Sequence, residues 1–172
     1  MTDGSSLDDL RVLAHPVRLR ILSLLTGVAM SAAEIARELG ETQANVSDHL
    51  RRLHAAGLLD VEAEVRIRGG RAKRYRHRPE SGPDFTERTR DEERVFITAM
   101  ARELHRRSDA LDTSERGSLT DAELWVDEQT WRRAVEKAHE IAKELHDAAK
   151  APRTPGTRHV NATVALFPMA DQ

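Results

Sequence analysis

No cysteine occurs in the 172 residues, so disulfides, thiolate metal sites, thiol redox switches and cysteine nucleophiles are excluded together. Aromatic side chains are scarce, at 3%. The core must therefore be aliphatic, and the expectation is a helix-rich chain of one sizeable domain or two small ones. No apolar run is long enough to span a bilayer, and the opening MTDGSSLDDL is polar and acidic where a secretory leader would be basic and then apolar. A soluble cytoplasmic protein with no membrane partner is expected. No nucleophile, carboxylate pair or phosphate-cradling loop stands at a catalytic spacing. No catalytic residue, cofactor or enzymatic activity is therefore expected. One further absence is local: from Val65 to Arg78 there is no acidic residue, while Arg66, Arg68, Arg71, Lys73, Arg74, Arg76 and Arg78 crowd the same stretch. The formal net charge of -2 hides this asymmetry.

What is present begins with LRVLAHPVRLRILSLLTG, whose Leu10, Leu13, Val17, Ile21, Leu22 and Leu25 recur at helical spacing. Pro16 suits the first position of a helix. The reading is a short helix ending near His15, then a second from Pro16 to about Thr26 stopped by Gly27. In SAAEIARELG, Ser31 and Glu34 have the spacing of a capping box, and Gly40 suits a left-handed helix end. After a short turn Thr42 caps a further helix with Val46, Leu50 and Leu53 inward and Gly57 as its stop. Two short helices across a tight turn make a helix-turn-helix.

Beyond Gly57, apolar residues alternate at Val61, Ala63, Val65 and Ile67, turn at Gly69-Gly70 and return through Ala72 and Tyr75, the pattern of a β-hairpin. Pro79, Gly82 and Pro83 mark a linker. It divides a first segment, 7–79, from a second, mainly helical one, 84–172. In the latter, a charged helix from Phe85 to about Leu111 carries a narrow seam of Val95, Ala99, Met100 and Leu104. ELWVDEQ reads as a short strand. Asp127 caps an amphipathic helix with Trp131, Ala134, Val135, Ala138, Ile141, Ala142 and Leu145 on one face, and VNATVALF alternates like a second strand. The fold class is α+β: a winged helix-turn-helix, mainly α with a small hairpin wing, followed by helices and a short two-stranded sheet.

The phrase VLAHPVRLRIL, then AAEIARELGETQANVSDHLRRLHAAGLL and the arginine-rich hairpin, resemble the DNA-binding domain of ArsR-like bacterial transcriptional regulators over residues 7 to 78. The resemblance implies a homodimer on a two-fold related operator, usually a repressor released by a small molecule or a metal. The region after Pro79 is similar to the extended tails of a subgroup, and the absent cysteines remove the thiolate box of the family's metal sensors.

With Val46, Leu50 and Leu53 inward, Ala44, Asp48, Arg51 and Ala55 point outward, flanked by Asn45 and Arg52. Asn or Gln can pair with adenine and Arg with guanine in the major groove, so Gln43, Asn45 and Arg51 are the candidates for base contact; Ala44 permits close approach. Thr42 and Ser47 suit phosphate. Asp48 either accepts from a cytosine amino group or holds Arg51 and Arg52, three and four residues on. Arg66, Arg68, Arg71, Lys73 and Arg74 in the wing suit phosphate or the minor groove. His15 suits a helix cap, and His49 and His54 suit packing or hydrogen bonding. His139 and His146, seven apart, lack a tight metal-ligand motif. Trp125, Trp131 and the stripe from Val135 to Leu145 suit core packing or an organic-ligand pocket. Double-stranded DNA, a second copy and an unidentified small-molecule effector are the expected partners. A winged-helix protein-interaction module without sequence-specific DNA binding is the alternative.

Overall fold

A computed structural model describes residues 12–13, 15–67, 70–77 and 89–170. Its elements are α1 (Pro16–Gly27), β1 (Met30–Ser31), α2 (Ala32–Leu39), α3 (Gln43–Ala55), β2 (Asp60–Ile67), β3 (Gly70–Arg76), α4 (Arg90–Ser108) and α5 (Glu128–Ala148). Five helices and a three-stranded antiparallel sheet of order β1-β3-β2 make an α+β winged helix. Most of the expected leading helix, including Leu10, and the 79–83 linker lie outside the described residues.

Local chemistry sets the helix ends. His15 is the N-cap of α1, its Nδ1 accepting from the Val17 amide at 3.2 Å, with Pro16 following where no amide is needed. Ser31 and Glu34 form the full capping box of α2, and Gly40 ends it at φ 69°. At the end of α3, Gly57 takes φ 70° while the Leu58 amide reaches back to Leu53 O at 3.0 Å and the Gly57 amide to His54 O at 3.0 Å. These paired bonds satisfy orphan carbonyls and drop Leu58 onto the same core as Leu53.

That core joins α1, α2, α3 and the sheet. Ile21, Leu25, Ile35, Val46, Leu50, Leu53 and Leu59 are its largest fully buried side chains, each worth about 1.5–3 kcal/mol on leaving water. The stripes expected on α1, α2 and α3 all face it. β1, two residues long and not foreseen, pairs Met30 with Tyr75 and Ser31 with Arg74. The hairpin departs from simple alternation: β2 bulges between Val61 and Ala63, and Val65 is exposed. Past the bulge the wing projects away from the core and has no second layer to bury an apolar face.

The second half differs more from expectation. On α4 the expected seam is only half inward: Ala99 is buried and Met100 half-buried, with Phe96 and Glu103 beside them, while Val95 and Leu104 are exposed, because the face packed on α1 is turned from the one expected. Asp127 caps α5 as its position suggested, accepting from the Thr130 amide at 2.8 Å. Yet α5 buries no residue, and Ile141 and Leu145 face outward. Neither 123–129 nor 160–167 is a strand joined to another segment: 123–127 is unpaired, 128–129 starts α5, and 160–167 has no ladder partner among the described residues. Alternation marks a segment fit for a sheet, but a strand needs an edge to pair with.

The first long helix does end at Gly27, as expected, and Gly27 is small because the chain after α5 lies across it. A Cβ there would sit 2.8 Å from Lys150 O and 2.9 Å from Ala149 C. The same returning segment reaches α2, where Arg153, at φ 61°, forks onto Glu38 with three donor contacts of 2.9 Å. Gly27→Ala should therefore lower stability by about 1–3 kcal/mol in thermal unfolding, although glycine to alanine within a helix ordinarily raises it.

Candidate nucleic-acid interface

α3 stands with Val46, Leu50 and Leu53 buried and its opposite face open. Thr42, Gln43, Ala44 and Asn45 are all exposed at its N-terminal end, and Ser47 is half-buried beside them. The Thr42 hydroxyl oxygen accepts from the Asn45 amide at 3.2 Å, which leaves its own O–H to donate outward. The Asn45 side-chain amide donates to Glu41 at 3.0 Å, so one of its donors is engaged within the chain.

Asp48 accepts from both arginines, from Arg51 at 3.3 Å and from Arg52 at 2.9 Å. Partial desolvation opposes its ionisation, but the charges and hydrogen bonds of Arg52 and Arg51 outweigh this and hold its carboxyl below the usual carboxylate range. Ionised and shared, it holds the guanidiniums of two arginines whose side chains remain 72% and 61% exposed.

Beneath this face lie two rings. His49 is buried on α3, its ring centroid 4.7 Å from that of His15 at the start of α1. Burial, and then the positive charges of Arg18 and Arg52, lower the His15 pKa; burial, and then His15 and Arg18, lower that of His49. Both rings are therefore neutral at neutral pH. His54 contacts the Leu59 carbonyl at 2.7 Å and stands edge-on to Tyr75.

The wing is less bare than its sequence implies. Of its five described cations, three meet carboxylates that precede the basic stretch: Arg71 with Glu64 at 2.8 Å, Arg76 with Glu62 at 3.5 Å, and Arg74 with Glu34 at 2.8 Å. The strand pairing of the hairpin brings Glu62 and Glu64 alongside, and the packing of α2 against β3 brings Glu34, a juxtaposition that a linear count misses. Arg66 and Lys73 have no ion-pair partner among the described residues, and Arg66 sits directly opposite Arg71 in the ladder. Arg68 and Arg78 lie outside the described residues.

Arg74 leaves the set of groups free for DNA. Its guanidinium donates twice to Glu34, at 2.9 and 2.8 Å, and also to the Ala29 carbonyl. Glu34 in turn accepts from the Ser31 amide and hydroxyl, each at 2.7 Å. Burial would raise the Glu34 pKa, but the Ser31 donors and Arg74 outweigh it and keep it below the ordinary value. One carboxylate thus ties the start of α2 to the root of the wing.

The remaining candidates are scattered. His139 is exposed, His146 bonds the Ala142 carbonyl one turn back, and no group of three metal-ligating side chains is gathered among the described residues. Trp125 is 91% exposed, and Trp131 and Val135 line an open groove along α5 rather than a core or a closed pocket. No helix among the described residues is long and apolar enough to cross a membrane.

Two comparisons bear on this geometry. A model described as a helix-turn-helix domain matches residues 13–62, the span from the approach to α1 through α3 to the start of β2. The chain is also 35% identical over 96 residues to y4uI of Sinorhizobium fredii, a protein that carries a transposase name. The match covers 51% of this chain but 18% of that protein, so the chain spans under a fifth of its relative's length.

Removing either partner of the Glu34–Arg74 pair should cost about 1–3 kcal/mol, and the two losses should be strongly non-additive in a double-mutant cycle of Glu34→Gln and Arg74→Ala. The two histidines predict a pH dependence. Because their folded pKa values are lowered, the unfolded chain takes up protons first below about 6.5; stability is full above that pH and falls as pH drops through the folded values. The melting temperature should decline from pH 7 to pH 5, and His49→Gln should flatten that slope.

Proposed function

We propose that this chain is an ArsR-like transcriptional regulator, a repressor that binds double-stranded DNA as a homodimer at a two-fold related operator in the cytoplasm, and that it acts by binding rather than catalysis. The observation that carries this reading is the joint exposure of two surfaces on one rigid core. One is the open face of α3, with Gln43, Asn45, Arg51 and Arg52 outward. The other is the wing, with Arg66, Arg71 and Lys73 in solvent. The first has the donor and acceptor groups that read base edges, and the second has the charge that meets phosphate. The match of residues 13–62 to a helix-turn-helix domain and the partial likeness to a protein named as a transposase both support a DNA partner.

In this reading the N-terminal half of α3 enters the major groove, Asp48 aims the two arginines, and the wing lies along the backbone. Two copies would set their reading helices about 34 Å apart, one turn of duplex. The C-terminal half supplies the second copy's contact and the site of an unidentified small-molecule effector. Its link to the reading head is physical, through the chain that crosses Gly27 and pairs Arg153 with Glu38.

Base-reading and phosphate-binding roles separate experimentally. Combined alanine substitution of Arg66, Arg71 and Lys73 should weaken binding to every duplex and reduce the salt slope by about 0.9 for each phosphate contact removed, measured by fluorescence anisotropy. Arg51→Ala should instead relax discrimination at one base pair, by about 1–3 kcal/mol. Folded dimers that bind no duplex at low salt would turn the reading to a winged-helix protein-interaction module.

A further inference from the structure

Of the fifteen large apolar residues exposed among the described ones, only Val65 lies before Val95. The other fourteen all lie in the second half. Within that half one segment is distinctive. From Val160 to Ala170 there is no charged residue, in a chain that is 33% charged. Val160, Val164, Leu166 and Phe167 are 59%, 49%, 47% and 49% exposed. Asn161 accepts from Arg107 at 3.0 Å, which moors the segment at the end of α4. Among the described residues no backbone hydrogen bond joins it to another segment.

An uncharged, alternating, unpaired strand is a template for strand addition, and soluble proteins ordinarily guard such edges with charge, bulges or proline. Here the first guard is Pro168. We propose that residues 160–166 pair antiparallel with the same residues of a second copy, about a two-fold axis through Thr163. This deepens the two-copy reading above and rests on it. That axis sets Val160 opposite Leu166 and Ala162 opposite Val164, apolar against apolar, and leaves Arg158 and Pro168 at the ends. Moving it to Ala162 would put Arg158 against Leu166, and moving it to Val164 would put Pro168, which has no N–H, into the ladder with Val160. One patch facing itself across a two-fold axis closes the assembly at two chains. A ribbon of two strands is marginal alone, and the exposed Leu124 and Trp125 supply further apolar cover.

The absence of native cysteine makes the test clean. Residues directly opposite in an antiparallel pair have Cα atoms about 4.5–5.5 Å apart, inside the roughly 4.4–6.8 Å that a disulfide spans. The full-length Thr163→Cys protein should oxidise to a covalent dimer, while Ala165→Cys, four residues from its own copy across the axis and about 13 Å away, should not. By light scattering the native chain should have twice its 19.3 kDa mass, and Val164→Lys should return it to one chain with an unchanged circular dichroism spectrum. A native dimer that survives Val164→Lys, or that cross-links no better through Thr163→Cys than through Ala165→Cys, overturns the strand pairing and leaves the two-copy reading of DNA standing. A native chain that stays monomeric, free and on DNA, overturns both.

Discussion

The Glu34 carboxylate is the junction on which the reading head depends. It accepts from the backbone and side chain of Ser31, closing the start of α2, and from Arg74, closing the base of the wing. Arg74 also reaches the Ala29 carbonyl, so the strand entering α2, the helix itself and the hairpin share one set of hydrogen bonds. Charge-assisted bonds of this kind are about twice as strong as neutral ones, and their geometry is specific. The orientation of the wing relative to the helix-turn-helix is set by this contact more than by the short β1–β3 ladder.

Rigidity beneath the α3 face complements that junction. Val46, Leu50 and Leu53 lock the helix into the core from below, and His49 packs on His15 at its side. Above the surface Asp48 divides its two oxygens between Arg51 and Arg52. A surface ion pair contributes little to stability. Its use here is geometric, since two long side chains that would otherwise sample many rotamers are held over the same face.

Much of the first half was legible because its signals are local. Ser31 with Glu34, Thr42, Pro16 and the glycines at 40 and 57 act within four residues of themselves, and the apolar stripes on α1, α2 and α3 repeat at the helical period. The role of Arg74 was not legible. It belongs by composition to the basic run, but its partner lies 40 residues earlier in the chain. The pairing of Arg71 and Arg76 with Glu64 and Glu62 escaped for the same reason. On α4, apolar residues lie on more than one side, so the seam chosen from spacing was half right: Ala99 is buried and Met100 half-buried, while Val95 and Leu104 are exposed and Phe96 packs on the core instead. The strand expected at 160–167 rested on alternation, but alternation cannot supply a partner edge.

The sequence by itself determined where α1, α2 and α3 begin and end, which side of α3 is buried, and that a cationic hairpin follows it, because caps, periods and charge runs are encoded within a few residues. Tertiary structure decided which cations stay in solvent, which face of α4 packs, and why Gly27 must be small. Each of these turns on a contact between groups far apart in the chain, such as Lys150 against Gly27 or Arg153 against Glu38, and only closure of the fold brings such groups together.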